Sequence, residues 1–207
     1  MPAQAEFWDR VAVKYAASPV GNERAYEQTL ELTRGYLGPG TSVLEIGCGT
    51  GTTALKLAGA AGHITATDIS PAVIGIAEGR RAEAGAENVT FAAAQSDAAG
   101  AGGHDAVLAF NLLHLLPDPS ATIRHAREML KPGGVFISKT MCLAESSFIF
   151  RPMIFVMRLI GKAPYVRFLR RAELEALIAA EGFEIVEHVA FDGAPNSRCI
   201  VARRIDV

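Results

Sequence analysis

The sequence predicts an α/β fold: a mostly parallel sheet covered by helices on both faces and finished by an antiparallel hairpin. Three observations carry this. Apolar, strand-like runs alternate with helix-patterned segments from Ser42 to Thr140. Those runs are continuously apolar instead of alternating, as strands buried on both faces are. The last two, "FEIVEHVAF" and "SRCIVARRI", are joined only by "DGAPN", too short for a crossover helix, so they run antiparallel.

The elements follow in order. An N-terminal part, about 5–37, is mostly helical by the spacing of its apolar residues and ends at the turn Gly38 to Gly40. The first strand is Ser42 to Ile46. "TTALKLAGAAG" is a helix stopped by Gly62, and His63 to Ile69 is the second strand. In "SPAVIGIAEGRRAEAG", Ser70 is a natural N-cap and Pro71 suits the first helical position. "NVTFAAA" is the third strand, "HDAVLAFN" the fourth, "PSATIRHAREMLKPGG" a helix with a glycine stop, and "VFISKT" the fifth strand. Helices between such strands make right-handed crossovers. An apolar insertion, about 143–169, follows where a few linking residues would suffice; Pro152 and Pro164 predict a break within it. Arg170 to Gly182 is an amphipathic helix leading into the hairpin.

Composition narrows the function classes. At 207 residues, half of them hydrophobic, the chain can bury one sizeable core, and a single domain over 1–207 is expected. Its 20 basic and 22 acidic residues set up no global field for nucleic acid or an anionic membrane. Three scattered cysteines form neither a CxxC pair nor a metal-ligand cluster, so no metal is expected and a reducing cytoplasm suits them. The first ten residues lack the pattern of a secretory signal, and no uncharged run reaches the roughly 18–20 apolar residues of a membrane span. A soluble, cytoplasmic protein is expected, as monomer or homodimer, with contact at a membrane surface left open.

The chemistry concentrates at "VLEIGCGTG". Gly47, Gly49 and Gly51, with Cys48 among them, let the backbone turn tightly after the first strand and approach a ligand closely. The N–H groups of the following helix favour an anionic group. Asp68 ends the second strand 21 residues after Gly47 (68 − 47), near the roughly 20 at which an acid meets ribose hydroxyls in nucleotide-binding βαβ units. Nicotinamide dinucleotides and S-adenosylmethionine both fit a ribose beside a glycine loop. The spacing separates them: dinucleotide sites read G-x-G-x-x-G, whereas this chain reads G-x-G-x-G with Glu45 just ahead.

At these residues the sequence resembles the class I S-adenosylmethionine-dependent methyltransferases, particularly the methyltransferase-11-like small-molecule group. "ATDIS", "FNLLHLL" and "MLKPGG" add to the resemblance in the expected order, which is good over Phe7 to Gly134 and looser beyond. It implies a Rossmann-like, doubly wound, seven-stranded sheet of order 3-2-1-4-5-7-6. It also implies roles. Gly47, Cys48, Gly49 and Gly51 would surround the methionine and ribose, with Glu45 near the methionine amino group. Asp68 would hold the ribose hydroxyls and Ile69 would lie against adenine. Gln95, Ser96 or Asp97 could recognise the adenine, and Asn111 and Leu112 would face the methionine end. The N-terminal helix would close over the cofactor, with Tyr15 its polar contact, although Trp8 and Tyr15 equally suit ordinary helix packing.

Methyl transfer from a sulfonium needs alignment, and a base only when the nucleophile arrives protonated. Ligands of a parallel sheet lie beyond the carboxyl ends of its strands. His63 and His104 begin strands, His125 lies off its helix's apolar stripe, and His188 is in the hairpin. His114, three residues past Asn111, is the candidate base or substrate-orienting residue, and Lys139, late in the fifth strand, is a weaker one. The expected acceptor is a small apolar or aromatic molecule of quinone, lipid or natural-product type, with the insertion supplying part of its cover and S-adenosylhomocysteine as by-product. The competing readings are a nicotinamide-dependent oxidoreductase and a non-catalytic S-adenosylmethionine-binding module. Nucleic-acid methylation is disfavoured, because strand four ends in "FNLLH" and no basic patch stands out.

Overall fold

The computed structural model describes residues 2–98, 102–145, 150–191 and 193–205. Strand β1 (Ser42–Ile46) is central, pairing in parallel with β2 (His63–Asp68) on one side and β4 (His104–Phe110) on the other. β3 (Val89–Ala93) continues beyond β2, and β5 (Leu130–Met141) beyond β4, all parallel. β7 (Ser197–Arg204) joins β5 antiparallel and carries β6 (Phe183–Val189) on its far side. The order is β3-β2-β1-β4-β5-β7-β6, as the family resemblance implies.

Strand periodicity divides the core. Val43, Ala106, Leu108 and Ile137 point to one face, and Leu44, Ile46, Val107 and Phe136 to the other, each fully or nearly fully buried. The first face is covered by α2 (Glu23–Arg34), α3 (Thr52–Leu57) and α4 (Pro71–Ala84). The second is covered by α5 (Pro119–Met129) and α7 (Arg171–Ala180). α1 (Pro2–Ala16) lies against α4, and α6 (Phe150–Leu159) belongs to the insertion. As the sequence suggested, Ser70 caps α4, accepting from the Val73 N–H, and Pro71 opens it.

Four details depart from the sequence expectation. β2 stops at Asp68, leaving Ile69 beyond the strand. The helix after the glycine turn is only α3, continued by a single 3₁₀ turn over 58–60. β5 begins at Leu130, because "LKPGG" pairs with β4 through an irregularity between His104 and Ala106. His125, expected off the apolar stripe, is 8% exposed, since α5 is sandwiched between sheet and α7 and buries Thr122, Ile123, His125 and Ala126 together.

In the insertion, Pro152 falls in the first turn of α6, where its missing N–H costs no helical bond, and Pro164 lies beyond the helix end. Met153, Phe155, Val156 and Leu159 of α6 are exposed. Residues 146–149 of the insertion lie outside the described residues. Among the described residues no helix is long and apolar enough to cross a membrane.

Candidate active site

β1 ends at Ile46, and the next residues reverse the chain. The Gly47 and Cys48 N–H groups donate to the Thr67 carbonyl at 2.7 and 2.9 Å, stitching the turn to β2. Gly47, Gly49 and Gly51 have φ of +72°, +57° and +75°, a region that side chains rarely enter. What surrounds each differs. A Cβ on Gly51 would lie 2.4 Å from Phe91 Cζ, and one on Gly47 2.8 Å from Leu112 Cδ1. At Gly49 the nearest atom is Tyr15 Oη, at 3.1 Å. Gly51 therefore serves the core, and Gly49 faces the space that α1 covers.

The acids sit at the ends of β1 and β2. Asp68 accepts the Gly49 N–H on Oδ2 and the Ser70 N–H on Oδ1, both at 3.0 Å. Burial raises its pKa against the pull of those bonds. Glu45 is 2% exposed, and its carboxyl is pushed up to about 8, by burial first and then by Asp68; the Ala54 N–H opposes the shift. Its Oε2 has no hydrogen-bond partner, which in a buried carboxyl marks a place for a donor.

α1 is fastened over this loop. Asp9 Oδ1 accepts from Ser70 Oγ at 2.5 Å and from the Ala72 N–H at 3.1 Å, gripping the start of α4. From α4, Arg80 donates to Thr50 Oγ1, Thr52 Oγ1 and the Ala16 carbonyl, so the end of α1 and the glycine turn share one guanidinium. Trp8 and Tyr15 pack edge to face with ring centres 5.6 Å apart.

Beneath α1 lies a cleft of about 160 Å³. Every expected cofactor residue except Gly51 lines it. Tyr15 comes from α1, Glu45, Gly47, Cys48 and Gly49 from β1 and its turn, and Asp68 and Ile69 from the end of β2. Gln95, Ser96 and Asp97 follow β3, and Asn111 and Leu112 follow β4. Asn111 has φ of +55°, and its N–H donates to the Lys139 carbonyl at 2.7 Å. His114 is not among the lining residues. It is 8% exposed, its Nδ1 has no partner, and burial pushes its pKa down to about 4.

Several lining residues escaped the sequence reading: Gln4, Tyr26, Thr29 and Leu30 from the two N-terminal helices, and Phe110, Leu115 and Leu116 beside β4. Lys139, the weaker candidate, lines the cleft too. Among the described residues, none from the insertion lines it. A second hollow of about 280 Å³, between α1 and the segment after α6, shares Gln4 and Trp8 with the cleft and includes Arg158 and Tyr165.

Comparison with known proteins places the chain. The family described as Methyltransferase domain matches residues 44–136. A ubiquinone biosynthesis O-methyltransferase of Xanthomonas axonopodis is 31% identical over 163 residues, 75% of this chain and 68% of that protein. The chain belongs to the class I S-adenosylmethionine-dependent methyltransferases. A protein of the same name from Aromatoleum aromaticum is 30% identical over 72% of this chain, which spans 66% of that relative's length. Among solved structures, the 4+2 cyclase SpnF superposes with a TM-score of 0.81 at 18% identity, covering 98% of this chain and 95% of that one. Magnesium protoporphyrin IX methyltransferase from Synechocystis, with bound S-adenosylhomocysteine, gives 0.69 at 22% identity, covering 96% and 93%. A cyclase on this fold shows that the backbone alone does not choose the reaction.

The methyltransferase's own residues fit the family cofactor. S-adenosylmethionine carries an ammonium and two ribose hydroxyls, and the cleft offers a buried carboxyl oxygen without a donor and a second carboxylate on the loop. Gly49 leaves the loop backbone bare on the side that α1 covers.

Proposed function

We propose that this methyltransferase transfers the methyl group of S-adenosylmethionine to a small, apolar or aromatic acceptor, on the oxygen of a quinone- or phenol-like ring. One observation supports this most: a single cleft is acidic where β1 and β2 end and apolar where β4 ends. Glu45 and Asp68 line the first part; Leu30, Phe110, Leu115 and Leu116 line the second. The cofactor has the charges and the acceptor has the carbon. The relatives named ubiquinone biosynthesis O-methyltransferase support oxygen as the methylated atom.

Bound S-adenosylmethionine supplies a methyl group on a sulfonium, whose sulfur leaves as a neutral thioether. The chain's task is binding, alignment and exclusion of water. Glu45, ionised by an approaching ammonium, holds the amino group through Oε2. Asp68 accepts from the ribose hydroxyls while its bond to the Gly49 N–H keeps the loop in the binding shape. Ile69 and Gln95 to Asp97 border the adenine, and Trp8 and Tyr15 seal the cleft from solvent.

Calorimetry with S-adenosylhomocysteine and NAD, followed by labelled-methyl transfer to a panel of quinols, phenols and lipid amines, tests this. Tighter binding of NAD would refute the cofactor assignment. Binding of S-adenosylhomocysteine with no turnover across the panel would favour the non-catalytic module instead.

A further inference from the structure

Lys139 is a cation where a protein rarely keeps one. It is 9% exposed on the last turn-facing part of β5, beside Phe110 and Cys199 in the neighbouring strands, and it lines the cleft. Its Nζ donates to the Ala25 carbonyl at 3.2 Å and to Thr29 Oγ1 at 2.9 Å, both on α2. The Phe191 ring centre lies 5.5 Å away. Among the described residues no carboxylate comes within 4 Å of it. A buried ammonium held only by neutral groups is costly. Tying α2 to β5 would need no charge, and a threonine or glutamine would serve.

An ammonium has three N–H donors, and these two bonds leave one. Lys139 is also remote from the acidic part of the cleft. β4 separates β1 from β5, and Lys139 lies two residues past the register of Glu45, which places their backbones about 12 Å apart at roughly 4.8 Å per strand and 3.3 Å per residue. The Lys139 pKa is lowered by burial, with the Cys199 thiol on β7 acting the other way. That thiol is itself pushed up to about 12 by burial, against the pull of Lys139 and with Glu187 on β6 adding to the rise. Tyr26, on α2, also has a raised pKa.

We propose that Lys139 is the acceptor-oxygen site, so that the cleft takes acidic hydroxyl compounds, phenols or enols, and holds them as oxyanions against Nζ. This rests on the methyl-transfer reading and names its substrate class. On binding, the acceptor hydroxyl loses its proton to water, and the Lys139 ammonium pairs with the oxyanion through its remaining N–H. The oxyanion's lone pair is the nucleophile. The O–CH3 bond forms as the S–CH3 bond of the sulfonium breaks, and the neutral ether leaves the ammonium without its counter-ion, which favours product release. The walls from Leu30, Phe110 and Leu116 accept the ring.

The probe is 4-nitrophenol, whose phenolate absorbs visible light, titrated into the protein saturated with S-adenosylhomocysteine one pH unit below the phenol's own pKa. Bound probe should be about half phenolate, against about a tenth in solution, with its apparent pKa lowered by about one unit, a tenfold shift. Lys139→Met should abolish the shift while S-adenosylhomocysteine affinity stays within about threefold. In methyl transfer, that variant should retain rate on acidic phenols and lose it on weakly acidic ones, a split that a structural role would not produce. A phenol that binds protonated, or a phenolate bound equally well by Lys139→Met, overturns the proposal and leaves the methyl-transfer reading standing. Failure of the wild type to bind S-adenosylhomocysteine overturns both. Should Lys139→Met not fold, the wild type alone decides: 4-nitrophenol must bind at least tenfold tighter than 4-nitroanisole, and equal affinity refutes the site.

Discussion

Replacing Asp68 with alanine removes one carboxylate from three duties, and the structure separates their sizes. Two are visible: the bonds from the Gly49 and Ser70 N–H groups, each 3.0 Å. Hydrogen bonds to a charged group contribute about 1.5–3 kcal/mol each, but burial already disfavours the Asp68 charge, so losing it returns part of that. A net destabilisation of about 1–2 kcal/mol follows, or roughly 2–8 °C in Tm for a domain of this size. The third duty is to the ribose hydroxyls, where a further 1.5–3 kcal/mol corresponds to a roughly 10- to 150-fold loss of S-adenosylhomocysteine affinity. Asp68→Asn keeps an acceptor for one N–H but presents an amide donor to the other, so it should recover part of the stability and little of the affinity. Calorimetry and thermal melts on both variants provide the measurement. Affinity within twofold of wild type in folded Asp68→Ala would remove Asp68 from the cofactor site.

The remaining predictions concern the loop and the titrating groups. Gly51→Ala, whose Cβ would overlap Phe91, should cost more than about 2 kcal/mol of stability, whereas Gly49→Val should stay folded and fail in calorimetry with S-adenosylhomocysteine. Glu45 carries a folded-state pKa of about 8 against 4.5 ordinarily, so the folded protein holds a proton that the unfolded chain releases. Its share of stability is present below pH 4.5 and is lost as pH rises to 8; Glu45→Gln should flatten that part of the Tm profile. S-adenosylhomocysteine affinity should run the opposite way in the wild type, rising through the same window as the carboxylate forms, and lose that slope in Glu45→Gln. His114, pushed from 6.5 down to about 4, is neutral at working pH; its contribution is present above 6.5 and lost as pH falls toward 4. Because its ring is not among the cleft's lining groups, His114→Gln should keep methyl transfer within a few-fold, and a hundredfold loss at unchanged Tm would make it the base.

The sheet was legible because strand burial writes itself into composition. Val43, Leu44 and Ile46 are all fully buried, and no amphipathic alternation competes with that reading. The glycine turn was legible as well, though its parts were not. Gly51 reads like its neighbours in sequence, yet it is needed for Phe91, which arrives from β3, forty residues on. His125 failed for a related reason: α5 buries a broader face than its apolar residues mark, because α7 closes its second side. Packing partners distant in sequence leave no local signal.

The acceptor part of the cleft was the least legible, and the reason is where its residues come from. Tyr26, Thr29 and Leu30 lie on α2, where a polar and an apolar face alternate as on any surface helix. Only the fold shows that α2 crosses the end of β5 and presents Ala25 and Thr29 to Lys139. From sequence, the search for a base favoured histidine, the residue that titrates near neutrality in water. Burial drives His114 further into the neutral form, without placing it among the cleft's lining groups, whereas Lys139 lines the cleft and has its pKa lowered by burial. Carboxyls raised by burial around β1 and β2 and an amine lowered by burial on β5 thus give one cleft two ends of opposite charge preference. A sulfonium cofactor with an ammonium suits the first, and an acidic hydroxyl suits the second.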